Sequence, residues 1–247
     1  AEFDPGNNPS PGSWTEFLSL GFAHILSGPD HVAFVLGLML LVSGWRRIAL
    51  VTLGFTLGHS ITLALAVTGW VSPPGAAIES LIGFSILFVA AEAALTRQNA
   101  FRTAGWGGGA ALLTLAALAA LTGSVMAWPV WLGLIILTVA YFHWLGAGGR
   151  ADTAAPALSA GFGLVHGVGF AGILLEIDVS GKALIASLLA FNIGVEIGQI
   201  AIVIAALAVI TLLRRIAPDR LLTTGRAATI SALAALGSFW FLGRAFL

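Results

Sequence analysis

Six side chains with metal-ligating chemistry lie inside otherwise apolar stretches of this chain: His24, Asp30, His31, His59, His166 and Glu196. Four are imidazoles and two are carboxylates. No Lys or Arg shares their depth in the apolar segments, so Asp30 and Glu196 have no basic partner there. A bare carboxylate in a low-dielectric interior is very costly. The two acids must therefore be protonated, share protons with the histidines, or hold a cation. A divalent metal answers all six at once. The chain has no Cys and only two Met, Met39 and Met126, which excludes a thiolate site and a copper(I) pathway. Imidazole and carboxylate suit nickel, cobalt, zinc, iron or manganese, and ligand type alone does not choose among them. Ser60, Ser85, Asn192, Gln199 and Glu79 are candidates to orient these ligands from behind. Asn192, Glu196 and Gln199 recur at i, i+4 and i+7, which puts them on one helical face.

The elements that carry these residues are membrane spans. Of 247 residues, 58% are hydrophobic and 9% are charged, far below the roughly 25% charge of a soluble domain. Mean hydropathy is +0.99. This excludes a soluble enzyme, a disordered chain and a nucleic-acid binder, and predicts an all-α polytopic membrane protein. A span needs roughly 20 apolar residues. Eight segments qualify: 14–44, 48–69, 76–96, 104–126, 128–147, 155–175, 183–213 and 224–243. The first is interrupted by Ser27-Gly28-Pro29, which should break its helix. Broken helices are tolerated at membrane depth where they line a cavity. Residues 1–13 are rich in Pro, Gly and Asn and read as a flexible tail before a single helical domain at 14–247.

Charge placement sets the expected orientation. Nine of eleven basic residues follow odd-numbered spans: Arg46, Arg47, Arg97, Arg102, Arg150, Arg214, Arg215, Arg220 and Arg226. Only Lys182 and Arg244 fall on the other side. The positive-inside rule then places both termini outside a bacterial cytoplasmic membrane. Trp45, Trp70, Trp106, Trp128 and Trp144 fall near span ends as anchors, and His143 joins such a belt in Tyr141-Phe142-His143-Trp144. Glu79 lies one turn below an outer end, and Glu92 reads as interfacial.

Thirty-one glycines need a packing reason. Gly54/Gly58, Gly163/Gly167 and Gly194/Gly198 have the small-xxx-small spacing that lets helices approach closely. Such faces also offer a surface for a homo-oligomer. Residues 54–59 and 161–166 both read G-F-x-L-x-H, which is compatible with a weak parallel 4+4 repeat.

His24-Ile-Leu-Ser-Gly-Pro-Asp30-His31 fits H-x5-D-H and resembles the HupE/UreJ family of hydrogenase and urease accessory membrane proteins. The resemblance continues through 54–63, 79–86, 162–171 and 191–199, in order. It implies nickel or cobalt permeation. The nickel-permease branch carries a second motif, F-H-G-x-A/V-H-G-x-E, in which His166 matches the second His. Here Phe162 replaces the first His and Gly169 the Glu, so the chain resembles a sibling branch. Three functions follow as expectations. The first is a divalent metal permease. The second is an intramembrane zinc hydrolase, with Asp30 or Glu196 as base on a metal-bound water. The third is an accessory factor that holds a metal during metalloenzyme maturation.

Overall fold

The computed structural model describes residues 13–96, 100–169 and 181–246. Among these the chain is all-helical. The helices are α1 (Trp14–Ser27), α2 (Pro29–Leu41), α3 (Trp45–Val67), α4 (Gly75–Leu95), α5 (Phe101–Thr122), α6 (Trp128–Gly146), α7 (Ala151–Gly169), α8 (Gly181–Ile216) and α9 (Asp219–Phe246). Six are single helices long and apolar enough to span a membrane, and α1 with α2, taken together as one bent pair, brings the number to seven. The sixth expected span is represented by α7, and its residues 170–175 lie outside the described residues. So do the expected tail up to residue 12 and Arg97.

Local chemistry explains the boundaries that matter for function. Ser13 and Glu16 form a reciprocal capping box, with Ser13 N–H donating to the Glu16 carboxylate at 2.7 Å, and this starts α1. The first span breaks where the sequence predicts. Gly28 caps α1, and Pro29 opens α2 as its first helical residue, where a missing N–H costs nothing. The two helices bend by 72°. Gly123, at φ +91°, ends α5 and allows a short turn into α6. The fourth and fifth expected spans are thus two helices that pack as a hairpin, with Gly105 of α5 against His143 of α6 and Gly109 against Val139.

Glycine faces dock the remaining helices in pairs. Gly54 and Gly58 of α3 lie against the carbonyls of Pro156 and Ala160, while Gly163 and Gly167 of α7 lie against those of Phe55 and His59. The contact is reciprocal and parallel, and it joins the two G-F-x-L-x-H segments face to face. Gly21 of α1 meets the Phe191 carbonyl, and Gly194 of α8 meets that of Leu18, which sets α1 parallel to α8. Gly83 of α4 meets Phe241, and Gly237 of α9 meets Leu87, an antiparallel pair. A Cβ at any of these positions would collide with backbone, so these glycines set interhelical distance within the chain.

The charges segregate as the span parity requires. Arg47 and Arg150 both pair with Asp152, at 2.7 and 3.1 Å, tying the start of α3 to the start of α7. Arg226 of α9 donates to the Ala93 carbonyl near the end of α4. Arg244 pairs with Glu79 at 2.9 Å at the opposite end of the same helix pair.

Candidate metal centre

The break in the first span builds the centre. His24 is in the last turn of α1, while Asp30 and His31 are in the first turn of α2. The 72° bend lets both turns aim inward. Gly28 permits the approach: a Cβ there would lie 2.7 Å from His31 Nδ1 and 2.9 Å from Asp30 Oδ1. The N-terminal dipole of α2 favours the Asp30 carboxylate beside it. His59 arrives on α3 and His166 on α7, helices held at close range by their glycines.

Two overlapping groups of ligands result. In His24, His31 and His59, one ligand atom from each lies within 4.8 Å of the others, and the same holds for Asp30, His31 and His166. His31 belongs to both. Metal–nitrogen bonds of roughly 2.1 Å put ligand atoms about 3.4 Å apart, so a 4.8 Å spread is a loose cage that small side-chain rotations close.

Hydrogen bonds fix which nitrogen each ring offers. His31 Nδ1 lies 3.0 Å from Asp30 Oδ1 and donates to it. Asn192 Nδ2 donates to the Leu188 carbonyl at 2.7 Å, so its Oδ1 faces His59 Nδ1, at 3.4 Å, and accepts from it. Ser85 Oγ donates to the Ile82 carbonyl at 2.7 Å, so His166 Nε2, at 3.0 Å from Ser85 Oγ, must be the donor between them. These partners assign the tautomers. The opposite nitrogens, His31 Nε2, His59 Nε2 and His166 Nδ1, keep their lone pairs, and each is buried with no hydrogen-bond partner. His31, His59 and His166 are 4%, 0% and 1% exposed, so bulk solvent does not reach them. A buried polar atom without a partner costs about 1–3 kcal/mol, and a metal ion is one partner that His31 could share with His59 in one group or with His166 in the other. The donor set fits a divalent transition ion.

Aromatic rings close the walls. Phe55 and Phe191 stack on His59 at centroid distances of 6.0 and 6.2 Å, and Phe34 and Phe55 pack on His166 at 5.2 and 5.0 Å. Phe162, where the nickel-permease branch has a His, packs on Phe34 and Phe88 and contributes only apolar surface.

The other predicted residues divide. Ser85 lies within hydrogen-bond distance of the His166 ring and Asn192 within that of the His59 ring. Ser60 instead donates to the Thr56 carbonyl of its own helix at 2.6 Å. Glu196 is in neither ligand group; its carboxylate accepts from Thr52 and Thr56 at 3.1 and 2.6 Å. Gln199 is buried beside Thr56, 3.2 Å away. Glu79 is away from the centre in its exposed pair with Arg244. His143 bonds the Val139 carbonyl and packs on Trp106 near the end of α6. Glu92, read as interfacial, lies in the last turn of α4, is 0% exposed and accepts from the Tyr141 hydroxyl at 2.9 Å. Its burial is a tertiary matter that hydropathy does not reveal. Sequence reading also missed Thr52 and Thr56. Their i, i+4, i+7 spacing with His59 was the available signal.

Neither a curated protein nor a solved structure matches the chain. The family model described as HupE / UreJ protein matches in two segments, residues 7–116 and 108–244, which together run almost from end to end. The aligned helices, the broken first span and the histidine centre therefore stand in a known family context: the chain belongs to the HupE/UreJ family.

Proposed function

We propose that this protein is a divalent metal permease of the nickel/cobalt type, with His24, Asp30, His31, His59 and His166 as its ion site. The observation that carries the reading is the set of three buried imidazole nitrogens without partners, on rings whose other nitrogens are held by Asp30, Asn192 and Ser85. Family membership supports nickel or cobalt handling. The helix break beside the ligands favours permeation over a fixed structural ion, because interrupted helices recur where transporters bind their ions. Asp30 would balance part of the ion's charge. The membrane is the bacterial cytoplasmic membrane, with the arginine-rich ends of α3, α7 and α9 inside, as the positive-inside rule requires.

Metal analysis of the purified protein, followed by nickel and cobalt uptake into proteoliposomes, tests this. Wild type should bind about one ion and carry it across, and His31→Ala should do neither, since His31 serves both ligand groups. A stoichiometric ion that neither exchanges nor crosses would refute permeation and support the accessory-factor reading.

A further inference from the structure

The helix pairs α3–α7 and α1–α8 are built on one plan. A Cβ added at Gly58 of α3 would meet the Ala160 carbonyl and lie 2.9 Å from Leu164 N; one at Gly194 of α8 would meet the Leu18 carbonyl and lie 2.9 Å from Phe22 N. In return, Gly163 of α7 rests on the Phe55 carbonyl, and Gly21 of α1 rests on that of Phe191. The sequence agrees. Residues 55–58 and 191–194 both read F-x-L/I-G, and residues 21–24 and 163–166 both read G-x-x-H. α8 is thus the counterpart of α3, and α7 of α1. A third pair completes the set. Gly83 of α4 meets Phe241, four residues beyond Gly237, and Gly237 of α9 meets Leu87, four residues beyond Gly83. α4 and α9 are counterparts packed on each other.

The counterparts occur in the same chain order, α1, α3, α4 and then α7, α8, α9, yet each runs opposite to its mate. α4 and α9 are antiparallel. So are α3 and α8, since His59 meets Asn192 while Thr52, nearer the start of α3, meets Glu196. α1 follows the direction of α8 and α7 that of α3, so α1 and α7 are opposed as well. A repeat of this inverted kind has its pseudo-twofold axis in the membrane plane, and transporters built on it bind their ions at the repeat interface. The two G-F-x-L-x-H segments are packing partners in this scheme, not counterparts. The metal centre lies on the interface. His24 follows Gly21 by three residues and His166 follows Gly163 by three, and one belongs to each ligand group, with His31 common to both.

The two halves are not packed alike. Ser85 and Phe88 of α4 lie against His166 and Phe162 of α7 and are 0% and 3% exposed. Their counterparts on α9, Phe239 and Leu242, are 71% and 40% exposed. His166 is buried, while His24 is partly exposed.

We propose that the chain is an inverted repeat, α1–α4 against α7–α9, whose halves exchange their packing: α9 closes on α1 as α4 leaves α7, and the ion passes between the His24 and His166 ligand groups. The exchange rests on the permease reading for its role; the repeat does not.

The chain has no native Cys, so introduced pairs report alone. Leu20 and Leu242 hold the places of Phe162 and Phe88, and neither is a ligand. In membranes, a short, reductively cleavable bifunctional thiol reagent should join Leu20→Cys/Leu242→Cys. It should also join Phe88→Cys/Phe162→Cys, whose native rings are 5.7 Å apart. Nickel flux in proteoliposomes should fall about tenfold or more in either joined form and return on reduction, because movement of one repeat against the other carries the ion. Ala23→Cys/Ser238→Cys, at the places of Val165 and Phe84, replaces the first pair should that fail to fold. Failure of the folded α1–α9 pair to join overturns the proposal, and so does a joined protein with undiminished flux. Wild type without flux refutes permeation instead, and the α1–α9 pair still decides whether the second packing exists.

Discussion

Replacing Gly28 with Ala adds one methyl group at the break in the first span. The backbone accepts it, since Gly28 has φ −83° and ψ 103°, open to any L residue. The side chains around it do not. The new Cβ would lie 2.7 Å from His31 Nδ1, 2.9 Å from Asp30 Oδ1 and 3.1 Å from the His24 carbonyl. Ordinary carbon contacts begin near 3.5 Å, so His31 must retreat by roughly 0.8 Å or the α1–α2 angle must open. Either movement breaks the 3.0 Å Asp30–His31 hydrogen bond and displaces the one ligand common to both groups. Loss of such a supporting contact typically costs about 10–100-fold in metal affinity. That range corresponds to about 1.4–2.7 kcal/mol. Chelator-competition titration of nickel and cobalt on solubilised protein measures it, with circular dichroism to show that the helices persist. Gly133→Ala is the control, because nothing lies within 4 Å of its Cβ position. A Gly28→Ala protein whose affinity matches the control would refute the claim that this glycine sets the ligand geometry.

Four further outcomes follow from the same structure. Ser85→Ala removes the acceptor for His166 Nε2–H, freeing that ring's tautomer and orientation; competition titration should show about tenfold weaker binding, and no change would remove Ser85 from its positioning role. Gly163→Leu drives a side chain into the Phe55 carbonyl and must separate α3 from α7; thermal unfolding in detergent should show a loss of about 1–3 kcal/mol or outright misfolding, and a wild-type melt would contradict the packing. Tyr141→Phe strips the fully buried Glu92 of its hydrogen-bond donor, so stability should fall by about 1–3 kcal/mol in the same melt, with nickel affinity unaffected. Metal affinity should fall once the medium is acid enough for protons to compete for the imidazole lone pairs, and an affinity that persists until the helices unfold in acid would argue against imidazole ligation.

The histidines and Asp30 were legible in the sequence because ionisable residues in apolar spans are rare and need a reason. The break at Ser27-Gly28-Pro29 was legible because Pro cannot continue a helix from within and Gly tolerates the cap. The close pairing of α3 with α7 was foreshadowed by the small-xxx-small spacing on each. Span parity followed from the arginines, and the observed pairing of Arg47 with Asp152 and Arg244 with Glu79 keeps opposite ends apart.

What hydropathy and spacing left open were relations between helices. Periodicity states which face of a helix is polar; it does not state which neighbour that face meets. The sequence grouped Glu196 with the imidazoles because their depths are similar. In the fold, the antiparallel contact of α8 with α3 matches Asn192 to His59, and one turn is enough to carry Glu196 to Thr52 and Thr56 instead. Glu92 read as a residue near a helix end, and its full burial with the Tyr141 hydroxyl as donor is a relation between helices. Which ring nitrogen is left without a hydrogen-bond partner was likewise a tertiary matter, fixed by partners on other helices for His59 and His166. By itself the sequence determined a polytopic helical membrane protein with a buried imidazole–carboxylate set, because burial cost and helix chemistry act locally. Tertiary structure alone decided which ligands converge and which acid stands apart, because the rotation and register of each helix are set by the neighbours it packs against.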